Sequence, residues 1–111
     1  MKLVRQTFSG RVSATIDGAL PTESDLAQIK RQRLPVHVLS MPPRVSSIDF
    51  LLPIAESIEW LTVTTMECRN PRAVEDMPNL VELDLWVDSA HEINFRQLVS
   101  LKIFAGGLGR G

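Results

Sequence analysis

The chain has 111 residues, room for one domain, and its 44% hydrophobic and 23% charged content is that of a folded protein rather than a disordered one. Twelve Lys and Arg against thirteen Asp and Glu leave a net charge of −1, so no global field draws nucleic acid or anionic lipid. One cysteine, Cys68, excludes an internal disulfide, and two histidines give poor material for a metal site.

In chain order, residues 3–16 predict a β-hairpin. Val4, Phe8, Val12, Ala14 and Ile16 are apolar with polar residues between them, and Ser9-Gly10 suits a tight turn. Gly18 breaks the second strand. Residues 21–25, with Thr22, Glu23 and Asp25, start a helix whose acidic first turn complements the helix dipole. Leu26 and Ile29 form its narrow apolar stripe, and Pro35 ends it. Val36, His37, Val38 and Leu39 make a short strand stopped by Pro42-Pro43. Ile48, Leu51, Leu52, Ile54 and Ala55 predict a short helical segment despite Pro53.

Three hexads then follow one pattern, apolar-x-x-apolar-x-apolar, beginning at Ile58, Leu80 and Leu98. The first interval falls within the period of about 20–29 residues of leucine-rich repeats, and the second is slightly shorter. The chain resembles a leucine-rich-repeat protein with an irregular, short array, over residues 34–105. Val36 and Val38 fit a degenerate earlier strand, one such period before Leu61. Asp88 stands where the family usually has Asn or Cys, and Met66 and Gly106 hold that position in the flanking repeats. These departures leave the family's usual asparagine ladder open.

The resemblance implies an α/β fold: a short leucine-rich-repeat-like solenoid with a parallel sheet, preceded by an N-terminal hairpin plus helix. Residues 1–105 form the domain, with 1–33 as the cap and 34–105 as the repeats. Residues 106–111 hold four of the six glycines and are expected to be a flexible tail. Stacking in parallel would bury Leu61 and Val63, Leu83 and Leu85, and Leu101 and Ile103 together. Ile48, Leu51, Val74, Met77, Ile93 and Phe95 would fill the core from the return segments.

Alternation then assigns the open face of the sheet. It would carry Trp60, Thr62 and Thr64, then Glu82, Asp84 and Trp86, then Ser100, Lys102 and Phe104, with His37 and Leu39 extending the rows. Asp84 and Lys102 would be lateral neighbours, an exposed ion pair worth about 0–1 kcal/mol. Both tryptophans thus fall where the core does not need them, and such groups anchor protein partners. The expected function is protein–protein interaction on this face, through Trp60, Thr62, Glu82, Asp84, Trp86, Lys102 and Phe104. Residues 51–111 carry five basic and nine acidic side chains, compatible with an inhibitor or immunity-type role against a basic partner. The alternative for the aromatics is burial under the hairpin or helix.

Catalysis has weaker grounds. His91 and His37 lie on different segments, and no nucleophile turn is recognisable, so the rival reading is a small enzyme using either histidine with a nearby carboxylate. Cys68 beside Arg69 reads as a structural thiol. GGLGRG has no helix after it and is not a phosphate loop. Lys30, Arg31 and Arg33 lack a nearby aromatic for base stacking, which argues against nucleic acid. No cofactor is implied. No apolar run approaches the roughly 18 residues of a membrane span, and the N-terminus turns polar at Arg5, unlike a signal peptide. A cytoplasmic protein is expected. A third reading is a cap or fragment of a longer repeat array, and the strand edge at residues 98–105 predicts a homodimer.

Overall fold

Residues 12–17 read VSATID, and the alternation divides them as expected: Ala14 and Ile16 point into the core with no exposed surface. They form strand β2, Val12–Asp17, which pairs antiparallel with β1, Lys2–Arg5. The computed structural model describes residues 1–5, 11–88, 93, 94, 96, 98 and 103–109, with Asp88 and 103–109 described by their backbone. The expected turn at Ser9-Gly10 lies outside the described residues. Gly18, at φ 77°, takes the chain out of β2 through a conformation that side chains with a Cβ disfavour.

Helix α1, Glu23–Gln32, starts on a reciprocal cap. Thr22 Oγ1 accepts from the Asp25 backbone N–H at 3.0 Å, and Asp25 Oδ2 accepts from the Thr22 N–H at 2.9 Å. Glu23 and Asp25 lie in the first turn and Lys30 and Arg31 in the last, both favourable to the macrodipole. The helix ends where Arg33 turns left-handed, at φ 50° and ψ 49°, and Pro35 leads into β3, Val36–Ser40. After β3 the chain returns through a 3₁₀ segment, Asp49–Ser57. Pro53 lacks the N–H a continuous helix would use, and the segment kinks at Ile54. Strand β4, Trp60–Val63, is followed by a second 3₁₀ segment, Arg72–Asp76, and then by β5, Glu82–Asp88. The Asn94 backbone N–H donates to Glu75 at 2.8 Å, which holds that carboxyl below its ordinary range, with Arg72 assisting.

Among the described residues the strands form one six-stranded sheet in chain order, parallel from β2 onward, with β6 spanning Ile103–Gly109. The result is a compact α/β domain with a mostly parallel sheet. One register row runs through Ala14, Val36, Leu61, Leu83 and Phe104. Every step along that row falls within a period of about 20–29 residues. The return segments also stack on each other. Ser47 bridges Asn70 in parallel, and the Arg69 and Asn70 N–H groups donate to the Ser46 carbonyl at 2.8 and 3.0 Å.

The core lies on one side of the sheet. Val36, Val38, Leu61, Val63, Leu83 and Leu85 face Ile29 of α1, Leu51 and Ile54 of the first 3₁₀ segment, and Val74 of the second. Ile48, Met77, Ile58 and Leu80 are buried there too, and Ile93 packs against them. Expected core residues Phe95 and Leu101 lie outside the described residues.

The last strand differs from expectation. The hexad spacing aligns Leu101 with Leu83 and Ile103 with Leu85, whereas the sheet pairs Phe104 with Leu83 and Gly106 with Leu85. Residues 106–109, expected in a flexible tail, belong to β6; residues 110 and 111 lie outside the described residues. The reason is in β5, which runs seven residues to Asp88 and offers its backbone along that whole length. Ladder hydrogen bonds use backbone groups alone, so Gly106, Gly107 and Gly109 can satisfy them.

Candidate functional site

The sheet face opposite the core is built by the polar members of each alternation. Strand β3 contributes His37 and Leu39, β4 contributes Trp60 and Thr62, and β5 contributes Glu82, Asp84 and Trp86. Register sets Trp60 beside Glu82 and Thr62 between His37 and Asp84. Thr15 of β2, opposite His37, extends this polar row and is buried. Leu39 and Trp86 are exposed, Trp86 over 50% of its surface.

Trp60 is half-buried, and the Arg11 guanidinium sits over its ring, 4.8 Å from the centroid. This is a cation–π contact, with the ring's negative face toward the charge. His37 Nε2 shares a hydrogen bond of 3.1 Å with Thr64 Oγ1. Burial lowers the His37 pKa below its ordinary 6.5, and the charge of Asp84 partly offsets that. Asp84 Oδ1 is itself buried, with no hydrogen-bond partner among the described residues. Native structures leave few such acceptors unpaired.

The structure therefore brings Trp60, Thr62, Glu82, Asp84 and Trp86 onto one face, as alternation predicts. It does not align the last strand as expected. Asp84 is paired in register with Ala105 and Trp86 with Gly107, so Phe104 holds the position opposite Leu83 rather than beside Trp86. An odd slip of register exchanges the two faces of a strand. Lys102, the expected lateral partner of Asp84, and His91 lie outside the described residues. Arg11 and Thr15 belong to the face although sequence reasoning did not select them. Thr15 was legible in the alternation of β2; nothing local to Arg11 points to Trp60.

At the N-terminal ends of the strands, Arg33 Nη1 and Glu59 Oε1 form an ion pair at 3.3 Å. It borders a cleft of about 390 Å³ shared by Arg11, Pro35 and Trp60. Cys68 is fully buried in the turn after β4, and burial pushes its thiol up to about 11, so it is neither ionised nor reachable near neutral pH. Among the described residues no cluster of His, Cys, Asp or Glu is placed to hold a metal ion, and no helix is long and apolar enough to cross a membrane. Comparison of the chain with protein-family models, curated proteins and solved structures gives no match.

Proposed function

We propose that this chain is a protein-interaction domain, a short leucine-rich-repeat-like solenoid that docks a partner protein on the open face of its sheet. The repeat reading draws support from strands that follow chain order at a near-constant interval and from return segments that stack alongside them. Such an array buries one apolar face per repeat and leaves the other for binding. The observation that carries the functional reading is Trp86, a large aromatic side chain half exposed on a face that α1 and both 3₁₀ segments leave uncovered. Trp is among the residues most enriched at interface hot spots.

The test is a pull-down with the wild-type chain, the Trp86→Ala variant, and Glu23→Ala on the exposed side of α1 as control. A partner retained by wild type and by Glu23→Ala but lost from Trp86→Ala is the expected result. Identical retention by all three would refute docking through this face.

A small enzyme using His37 has one observation in its favour, the hydrogen bond between His37 and the Thr64 hydroxyl, since a hydroxyl beside an imidazole is the pairing of nucleophile and base. The third group is misplaced. In the register Thr62 stands between His37 and Asp84, so the carboxylate is not the ring's lateral neighbour.

A further inference from the structure

We infer that the open face receives an arginine-bearing segment of the partner, whose guanidinium pairs with the Asp84 carboxylate and stacks on the Trp86 ring. The inference rests on the docking reading above and narrows it to one partner chemistry. Four observations on this face lead to it.

First, Asp84 Oδ1 is a buried acceptor without a donor among the described residues. An unpaired carboxylate oxygen is costly, and since Asp84 as a whole is only partly buried, a cation pairing with the accessible side of its carboxylate would offset that cost. Second, the charges around it favour a cation. Glu82 lies two residues away on the same face and is exposed. His37, the nearest basic group along the row among the described residues, is held toward its neutral form by burial. Third, Trp86 is two residues from Asp84 on the other side and half exposed, so the two residues sit on one face of one strand with backbone positions roughly 7 Å apart.

Fourth, the face already accommodates this chemistry within the chain. Arg11 lies over Trp60, and Trp60 has Glu82 as its register partner. Asp84 and Trp86 offer the same two kinds of group one step along the sheet. Arginine fits this arrangement better than lysine: its planar guanidinium can donate in a fork to the carboxylate while its face rests on an aromatic ring.

The experiment is a heteronuclear NMR titration of the full chain with the peptide acetyl-Gly-Arg-Gly-Arg-Gly-amide. The same peptide carrying citrulline, and then leucine, in place of arginine serves for comparison. Citrulline keeps the shape of arginine and removes its charge. The expected result is a saturable shift of the Trp86 indole N–H and the Thr62 and Asp84 amides with the arginine peptide. Added salt should weaken the binding. Asp84→Asn and Trp86→Ala should each weaken it about tenfold or more, as loss of a charge-assisted pair or an anchor does. Trp86→Ala alters an exposed side chain, so it carries the test even where Asp84→Asn perturbs folding.

Equal shifts with the citrulline or leucine peptide, unaffected by Asp84→Asn, would overturn the arginine inference and leave the docking face standing. Shifts at Trp86 that grow with the concentration of the chain alone would place a second copy there and overturn it as well. No shift with any peptide would also overturn it, and the pull-down with Trp86→Ala would then decide the docking reading separately.

Discussion

His37 and Thr64 stand 27 residues apart in the chain, yet they share a hydrogen bond of 3.1 Å across the ends of neighbouring strands. The imidazole in this contact is partly removed from water, and its pKa is lowered for that reason before the opposing effect of Asp84. Between the lowered folded value and the unfolded 6.5, the unfolded chain binds more protons than the folded one. Stability from the neutral ring is therefore complete above about 6.5 and is lost as pH falls through the folded value. Urea unfolding at about pH 7 and about pH 5 should show a falling midpoint, and His37→Asn should flatten that fall. An equally steep fall in His37→Asn would show that another group is responsible.

Leu83 has 1% of its surface exposed and stands in the central register row between Leu61 and Phe104. Leu83→Ala should cost about 2–5 kcal/mol, read from chemical denaturation. In a domain whose total stability is ordinarily about 5–15 kcal/mol, that loss is severe.

The two tryptophans should separate in solution. In Trp60→Phe the remaining Trp86 should be readily quenched by acrylamide, because half its surface is exposed. In Trp86→Phe the remaining Trp60, half-buried beneath Arg11, should be quenched less. Trp86→Ala should cost less than Leu83→Ala, because half of the Trp86 surface is already in water whereas Leu83 is buried. Equal quenching in the two single-tryptophan proteins would contradict this arrangement.

Cys68 should be silent toward thiol reagents while the chain is folded. Its sulfur is buried and its pKa is raised to about 11, and only the thiolate reacts. Labelling should appear with unfolding and follow its midpoint in denaturant. Rapid labelling of the native protein at neutral pH would mean that the turn after β4 opens without global unfolding.

Alternation within short segments located Leu61, Val63, Leu83 and Leu85 in the core, and all four are buried. The same local logic put Trp60, Thr62, Glu82, Asp84 and Trp86 on the other side, since the side-chain period of a strand depends on nothing beyond the strand. The α1 start was also legible, because its acidic first turn and cap use residues within one turn of each other.

Pairing between segments was not legible. The short interval between the last two hexads set Leu101 beside Leu83, but the sheet sets Phe104 there. Apolar side chains at Leu101, Ile103 and Phe104 satisfy the pattern in more than one alignment. The choice among alignments belongs to the backbone ladder with β5 and to the packing that precedes it. Leu98 is buried in that packing.

By itself, then, the sequence determined which residues of each strand turn to the core, because alternation is a property of a single extended segment. Only the tertiary structure decided that Arg11 covers Trp60, that Thr15 and His37 continue the row of Asp84, and that Asp84 Oδ1 has no donor among the described residues. Each of those depends on distances between segments far apart in the chain, and such distances are set by register and packing rather than by local pattern.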